Sequence, residues 1–325
     1  MSVKRLSRPI TLDEVAAYHT AGVVHLRGVF DLATVNMLRR SIDEAANTIA
    51  ASKQGYDFSR LTRAMERRED DVLRGADGGQ HEVSAIVEHI RASEQPLLFD
   101  ADPSDRDGRF LVDTAVTTRV PPLRRFAVDG AAGDIAGALL GSEVVRYFGD
   151  QMFVKEPGTR ERTAFHQDAT YFEIDGDQCC VLWIPVDPVS KENGGMVYVR
   201  GSHRDGKLYK PNVFVSQTAL PGAQGADLPD IEGRPDDFDL VQFDVEPGDV
   251  LVHHYRTLHG AGGNLSRYQV RRALSIRYCG DDIRVTRRPW APKQLHLTTE
   301  MLEGEPLNGP DFPIAWRRQV QRAVA

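Results

Sequence analysis

The chain has 325 residues, of which 41% are hydrophobic and 27% are charged. This composition excludes general disorder, and the length predicts one large domain or a core domain with an added helical part. The 40 basic and 47 acidic residues give a net charge of -7 and are interspersed along the chain, which argues against nucleic-acid binding, since that needs a clustered basic face.

The sequence also lacks the signals of membrane, secreted and disulfide-rich proteins. The sequence has no run of about 18 apolar residues, so it predicts no membrane span. Basic residues near the start are not followed by the apolar stretch of a secretory signal. The three cysteines form neither a disulfide framework nor a CxxC metal pattern. We therefore expect a cytoplasmic protein without a membrane or nucleic-acid partner. The sequence does not indicate an oligomeric state.

The first elements along the chain are predicted to be helical. Thr11 and Glu14 form a capping box at the start of a helix that Gly22 ends, and Val23–Leu26 is a short strand candidate. Apolar residues recur at helical spacing over residues 31–51, which predicts a second helix.

The next stretch is less regular. Residues 53–79 are charged and polar and are predicted to be a surface excursion. Another helix is predicted over residues 122–141, with Gly130 and Gly133 as candidate breaks. These elements make up a helical flank of about residues 1–142.

From residue 143 to about 285 the pattern changes to short β-type runs separated by turn residues, which predicts an all-β sandwich or barrel. A polar, Gly/Pro-rich stretch at residues 204–239 interrupts this core, and connections of that length are usually functional. We therefore expect a lid or substrate loop there and a C-terminal extension over 286–325. The clearest predicted strands are residues 151–155, 179–186, 195–199, 250–254 and 271–278.

His166 and Asp168 stand two residues apart. In an extended strand such residues point to the same side, so the imidazole and the carboxylate can converge on one ion. Taken alone, this short pattern favours a His–Asp hydrogen-bonded pair at a turn.

Three further histidines follow a Pro-Gly-Asp turn and an apolar strand: His253, His254 and His259. One of them could complete a two-histidine, one-carboxylate set, which leaves three coordination positions open and is typical of non-heme Fe(II) oxygenases. His253 and His254 can instead cap the strand, with backbone groups or each other as partners. His259, beside Gly260 where the backbone can turn tightly, is the preferred ligand.

The strand at residues 271–278 alternates with period two. Arg271, Ala273 and Ser275 share one face, while Arg272, Leu274 and Ile276 share the other. A guanidinium with a hydroxyl on the same face can anchor a carboxylate by bidentate hydrogen bonding. A strand arginine is usually a surface charge, but Arg271 gains interest because it follows the third candidate ligand by a dozen residues.

Taken in order, these motifs resemble the phytanoyl-CoA dioxygenase family of Fe(II)- and 2-oxoglutarate-dependent oxygenases. The resemblance covers most of the chain as one domain, and it implies a double-stranded β-helix, a jelly-roll or cupin-like all-β core, with flanking N-terminal α-helices (α+β overall). It rests on the segments TLDEVAAYHTAGVVHLRGVF, VVRYFGDQMFVKEP, FHQDATYF, VLWIPVD, ENGGMVYVRGSH, PGDVLVHHYRTLHGAGGN and RRALSIRY.

The resemblance also implies roles for single residues. The metal ligands, which are also the catalytic set, would be His166, Asp168 and His259, whereas His254 matches a histidine that does not bind metal. Arg271 would bind the distal carboxylate of 2-oxoglutarate, with Arg272 as an alternative.

Other positions match the pocket. Ser275 would assist Arg271, and Gln151, Trp183 and Lys155 would line the cosubstrate or substrate site. Ala261 replaces a Ser or Thr that family members often have, which removes one possible hydrogen bond to 2-oxoglutarate.

The implied reaction uses O2 to convert 2-oxoglutarate into succinate and CO2 while a small organic substrate is oxidised, most simply by hydroxylation of an aliphatic carbon. Asp168 fills the position that related halogenases leave open, which favours hydroxylation over halogenation. Lys155, Arg160 and Arg162 suggest an anionic substrate. Two alternatives remain: a zinc-dependent hydrolase, which gives Arg271 no role, and a catalytically idle β-barrel binding protein.

Overall fold

The computed structural model describes residues 5–52, 54–67, 88–93, 95, 97–100 and 108–319. The named helices are α1 (Leu12–Ala21), α2 (Leu32–Asn47), α3 (Phe58–Arg67), α4 (Pro121–Asp129) and α5 (Ala132–Leu140). The strands are β1 (Val23–Leu26), β2 (Gly55–Asp57), β3 (Phe110–Thr114), β4 (Val144–Lys155), β5 (Thr163–His166), β6 (Ile174–Asp175), β7 (Cys179–Pro185), β8 (Met196–Val199), β9 (Leu240–Gln242), β10 (Val250–His254), β11 (His259–Ala261), β12 (Arg271–Cys279), β13 (Arg284–Val285) and β14 (Ile314–Arg317).

Two antiparallel sheets form the core. The larger sheet has the strand order β1-β10-β7-β12-β4-β3-β2, and β14 also pairs with β4. The smaller sheet has the order β5-β11-β8-β9, and a separate pair joins β6 and β13. Non-consecutive neighbours in both sheets mean that the chain crosses repeatedly between them. The predicted all-β core with flanking helices is confirmed.

One face of the larger sheet is covered by helices. Leu274 and Ile276 of β12 are fully buried in the hydrophobic cluster between this face and the helices. Ser275 lies on the opposite face and lines a pocket. The period-two pattern of β12 therefore divides the sheet into a helix-packed side and a pocket side. Side chains from the helices complete the cluster: Leu38, Ile42, Phe126, Ile135 and Leu139.

The predicted N-terminal elements are present. Thr11 Oγ1 accepts a hydrogen bond from the Glu14 backbone N–H at 3.2 Å, the Glu14 carboxylate accepts from the Thr11 N–H at 2.9 Å, and Gly22 ends α1 with φ +74°. The helix predicted over 31–51 is α2 followed by a short 3-10 turn. The helix predicted over 122–141 is divided at Gly130 into α4 and α5.

Some predictions for the flanks were wrong. Residues 55–67 are not a surface excursion, because they form β2 and α3, and the buried Ser59 and Thr62 of α3 hydrogen-bond to Glu161. Residues 68–79 lie outside the described part of the chain. Both the flank and the C-terminal extension add strands to the larger sheet: β1, β2 and β3 come from the flank, and β14 comes from the extension. Local pattern does not reveal such pairing, because the partner strands are distant in sequence.

The three cysteines are buried and free. Cys180 packs into the helix-side cluster and Cys179 into a separate cluster with Cys279. The adjacent Cys179 and Cys180 therefore face opposite sides of β7. Among the described helices, none is long and apolar enough to cross a bilayer.

Ile276→Ala should destabilise the fold by about 2–5 kcal/mol, because the fully buried side chain would leave a cavity between β12 and the helices. Urea denaturation followed by circular dichroism measures this change. Tyr268→Ala, at a position that is 88% exposed, is the control and should change stability little.

Candidate active site

Three potential metal ligands lie where the smaller sheet faces the larger one. His166 ends β5, His259 begins β11, and these two residues are directly paired in the antiparallel register. Asp168 follows β5 in a 3-10 turn. One ligand atom from each residue lies within 4.8 Å of the others, and all three residues are buried. The arrangement brings together the set that the sequence predicted.

Backbone carbonyls orient both imidazoles. The Nδ1 of His166 lies 2.8 Å from the Ala164 carbonyl oxygen, and the Nδ1 of His259 lies 2.9 Å from that of Thr257. An Nδ1–H that donates to a carbonyl fixes the ring and leaves the Nε2 lone pair free for a metal. Both Nε2 atoms are thereby available at one centre.

The electrostatics favour the metal-binding protonation states. Burial, with the neighbouring His166 and His253, lowers the pKa of His259 well below its ordinary value. Burial alone would raise the pKa of Asp168, but the neighbouring imidazoles of His166 and His253 bring it well below the ordinary value. Neutral imidazole and ionised carboxylate are the forms that bind divalent cations.

The two adjacent histidines of β10 point in opposite directions. His254 faces away from the pocket, where its Nε2 lies 2.8 Å from the Asp177 carbonyl oxygen. His253 faces the ligands: its Nε2 lies 3.3 Å from Asp168 Oδ2, and its ring centroid is 4.4 Å from that of His259. The sequence interpretation of His253 as a strand cap was wrong. Alternation along β10 was the signal, since His253 shares the inward face with Leu251.

A pocket between the sheets surrounds these residues and contains about 420 Å³ of space free of protein atoms, counting its open mouth. Gln151, Trp183, Arg271 and Ser275 line it, as the sequence predicted. The residues that sequence reasoning missed here are His253, Arg277, Phe153, Thr163, Met196 and Phe214. Ala261 also lines the pocket and offers no hydroxyl group.

Arg271 is the most unusual polar group in the pocket. It is only 2% exposed, its Nε is buried without a partner, and its guanidinium forms no hydrogen bond or ion pair with any described residue. Its guanidinium lies 5.6 Å from the Trp183 ring, and burial lowers its pKa to about 10. A buried cation is costly unless it has a partner. Arg271 therefore forms a ready site for an anion, with Ser275 on the same strand face.

Arg272 faces the other way. Its Nε and Nη2 donate to Asp187 at 2.9 and 2.7 Å, and its Nη1 donates to Asp43 at 2.7 Å. All of its charge is thus matched on the helix side of the sheet. Arg272 is excluded as the alternative pocket arginine, and the predicted strand register is correct.

Lys155 does not reach the pocket. Its fully buried ammonium donates to the carbonyl oxygens of Glu161 and Gly262 at 2.9 and 2.6 Å, and burial lowers its pKa well below the ordinary value. The prediction that Lys155 lines the site is wrong because this side chain ties two loops together.

The other two basic residues that suggested an anionic substrate are also engaged elsewhere. Arg162 pairs with Asp100 at 3.0 Å and Glu232 at 2.7 Å, and the Arg160 guanidinium lies 4.2 Å from the Phe99 ring centroid. Neither arginine lines the pocket.

The long segment over residues 204–239 covers one side of the pocket. Phe214 lies with its ring centroid 5.2 Å from that of His166. Its carbonyl oxygen accepts a hydrogen bond from the Ala164 N–H of β5 at 2.8 Å, and the Asn212 side chain donates to the Phe165 carbonyl at 2.8 Å. Residues 212–214, in the first half of the segment, are therefore bound to the strand that carries a candidate ligand.

Comparison with known proteins agrees with this geometry. The model of the family described as phytanoyl-CoA dioxygenase (PhyH) matches residues 18–273. A probable alpha-ketoglutarate-dependent hypophosphite dioxygenase of Stutzerimonas stutzeri is 32% identical over 215 residues, which are 62% of this chain and 71% of that protein. A probable phytanoyl-CoA dioxygenase of Caenorhabditis elegans is 28% identical over 123 residues. That match spans 38% of this chain and 38% of the relative's length.

Solved structures share the fold. The non-heme alpha ketoglutarate dependent carbocyclase SnoK from nogalamycin biosynthesis has a TM-score of 0.62 at 21% identity, covering 96% of this chain and 99% of that one. The epimerase SnoN, in complex with Fe3+, alpha ketoglutarate and nogalamycin RO, has a TM-score of 0.60 at 21% identity, covering 94% and 98%. These similarities confirm the predicted jelly-roll core.

His166→Ala, Asp168→Ala and His259→Ala should each abolish Fe(II) binding, because each removes one of three convergent ligands. His254→Ala is the matched control and should bind the metal normally, since its side chain points away from the pocket. Anaerobic Fe(II) titration measures the effect. Loss of the metal in His254→Ala, with retention in His259→Ala, would show that the ligand set is misassigned.

His253→Ala should keep the metal but bind it more weakly. The His253 imidazole hydrogen-bonds to Oδ2 of Asp168, and loss of such a hydrogen bond to a metal ligand typically costs about 10–100-fold in metal affinity. The same titration tests this, with His253→Gln expected to recover part of the affinity. Unchanged affinity in His253→Ala would show that the 3.3 Å contact does not hold the carboxylate.

The covering segment should respond to ligands only in part. Residues 217–239 should exchange backbone hydrogens faster in the free protein than with Fe(II), 2-oxoglutarate and substrate, because closing segments exclude water from reacting groups. Residues 212–216 should stay protected throughout. Hydrogen-exchange mass spectrometry decides this, and equal, strong protection of 217–239 in both states rules out a lid.

Proposed function

Because the chain belongs to the phytanoyl-CoA dioxygenase family, we propose that it is an Fe(II)- and 2-oxoglutarate-dependent dioxygenase that hydroxylates an aliphatic carbon of a small organic substrate. In the balanced reaction, 2-oxoglutarate, O2 and R–H give succinate, CO2 and R–OH. One oxygen atom enters succinate and the other enters the product. The observation that carries this proposal is the pairing of a three-ligand centre with a buried, unpartnered arginine in one pocket.

The donor set is suited to iron. His166, Asp168 and His259 would hold Fe(II) on one face, and such a set leaves three positions for a bidentate 2-oxoacid and dioxygen. Bound Fe(II) supplies the activation of dioxygen. The protein's own contribution is to orient these ligands through backbone carbonyls and His253, and to keep the carboxylate ionised.

Arg271 would hold the far end of the cosubstrate. A planar guanidinium offers two parallel N–H donors to a carboxylate, and the Ser275 hydroxyl adds a donor on the same face. Trp183 lies beside the guanidinium and closes the pocket with Phe153 and Phe214. Arg271 would thereby fix the direction in which a dicarboxylic 2-oxoacid enters.

The alternatives account for fewer of these contacts. A zinc hydrolase would use the same ligands but leaves the buried charge of Arg271 without purpose. An idle binding protein has no need of oriented imidazoles around a carboxylate. Two structural neighbours are an epimerase and a carbocyclase, so product analysis decides whether the outcome here is hydroxylation.

Turnover provides the direct test. The Fe(II)-loaded protein should release succinate from 2-oxoglutarate in the presence of O2, and candidate substrates should raise that rate above the uncoupled background. With isotopically labelled dioxygen, one label should appear in the hydroxylated product. Substrate-dependent hydrolysis without O2 consumption would contradict the proposal.

Arg271→Ala should raise the 2-oxoglutarate requirement steeply while Fe(II) binding stays near normal. Truncating one partner of a desolvated charge pair costs roughly 2–5 kcal/mol, which is on the order of 30-fold to several thousand-fold in affinity. Arg271→Lys should restore only part of the affinity for 2-oxoglutarate, because an ammonium cannot offer two parallel N–H donors to a carboxylate. The apparent KM for 2-oxoglutarate measures the effect.

Arg272→Ala is the control from the opposite strand face. It removes an equal charge and should lower stability through the loss of its contacts with Asp187 and Asp43. Its requirement for 2-oxoglutarate should change little. A larger effect at Arg272 than at Arg271 would contradict the assignment.

A further inference from the structure

The inward face of β12 carries a second buried arginine. Arg277 is 6% exposed and lines the same pocket as Arg271. Arg277 follows Arg271 by six positions, which is about 20 Å along a strand. The pocket therefore has a guanidinium at each end of one strand face, with Ala273 and Ser275 between them.

The guanidinium of Arg277 has few partners within the protein. Its Nη2 donates to Gln151 Oε1 at 2.7 Å, and its guanidinium lies 5.1 Å from the Phe172 ring. Its Nε is buried without a partner, and within the described part of the chain Arg277 forms no ion pair. Gln151 is neutral, so this contact orients the guanidinium without balancing its charge. Several N–H donors remain for a ligand.

The charged and titratable groups facing Arg277 do not neutralise it. Asp168, His253 and His296 lie within electrostatic range. Asp168 is the only carboxylate among these three, and under the proposed function its charge is balanced by the metal ion that it would hold with His166 and His259. The histidines add no negative charge. The positive charge of Arg277 is left for something that enters the pocket.

The register places Arg277 beside the candidate metal centre. Val181 of β7 pairs with His253 on one side and with Arg277 on the other, so two strand spacings, about 10 Å, separate these residues. Arg271 instead lies level with Lys155, at the far end of the strand. Under the proposed function, the metal and Arg271 would together hold both carboxylates of 2-oxoglutarate. Arg277 is then left for the other substrate.

We propose that Arg277 binds an oxyanion of the primary substrate, so that the enzyme acts on small acids whose carboxylate or phosphorus oxyanion lies only a few bonds from the oxidised atom. This inference rests on the proposed function, which supplies the second ligand of the pocket. It assigns the anionic preference to a pocket residue and not to Lys155, Arg160 or Arg162. Gln151 acts as a positioning residue that holds the guanidinium towards the metal.

The test is a binding experiment on protein loaded with Fe(II) and 2-oxoglutarate under anaerobic conditions. Acetate and methylphosphonate are titrated calorimetrically, with acetamide and dimethyl methylphosphonate as neutral counterparts. The wild type should bind at least one anion and prefer it to its neutral counterpart. Preference for acetate or for methylphosphonate distinguishes a carboxylate from a phosphorus oxyanion.

Arg277→Gln should weaken binding of that anion by at least about 30-fold. Arg277→Lys keeps the charge, so its affinity for the anion should lie between those of the wild type and Arg277→Gln. Arg200→Gln, which removes an exposed arginine paired with Asp239, is the control and should bind the anion as the wild type does. In a parallel titration, the visible charge-transfer absorption of the Fe(II)–2-oxoglutarate complex should show nearly unchanged cosubstrate affinity in Arg277→Gln.

Three results would overturn the inference. In the first, the wild type binds neither anion better than its neutral counterpart. In the second, Arg277→Gln binds the preferred anion as tightly as the wild type does, and in the third, Arg277→Gln loses affinity for 2-oxoglutarate as Arg271→Ala does. The last would assign Arg277 to the cosubstrate. If the wild type forms no Fe(II)–2-oxoglutarate complex, the proposed function fails as well, so the two failures are distinguishable.

Discussion

The pairing of β5 with β11 is the constraint on which the candidate site depends. Each strand has only three or four residues, yet their register sets His259 directly opposite His166. β8 pairs with the other edge of β11 and holds it in place. The turn after β5 then brings Asp168 to the same point. A slip of one residue would turn one imidazole to the opposite face, so this short ladder determines whether three ligands meet at all.

Around that centre the fold keeps two kinds of buried charge. Arg272 and Lys155 are satisfied by carboxylates or by carbonyl oxygens, so they stabilise the scaffold. Arg271 and Arg277 have unpartnered Nε atoms and face the pocket. Since an unpaired buried charge lowers stability, the anion-binding roles proposed for these two arginines would account for a cost in stability that Arg272 and Lys155 do not carry. The presence or absence of a partner within the protein therefore distinguishes these two groups of buried charge, which burial alone does not.

Much of this could be predicted from the sequence, and the failures have physical reasons. Alternation along β12 predicted which side of the sheet Arg271 and Arg272 would face, because a buried strand enforces period two. The same rule, extended by two residues, points to Arg277, and on β10 it separates His253 from His254. Lys155 was misassigned because a strand position gives the direction of a side chain but not its partners. Those partners are carbonyls of two loops that no local pattern predicts.

Ala164 links the covering segment to the candidate metal ligand. Its N–H donates to the Phe214 carbonyl, and its own carbonyl accepts from His166 Nδ1. The Asn212 side chain adds a hydrogen bond to the Phe165 carbonyl. For protein engineering, residues 212–214 are thus part of the scaffold. Grafting a foreign loop to change substrate scope is compatible with this arrangement only if the graft begins after residue 216 and leaves that backbone register intact.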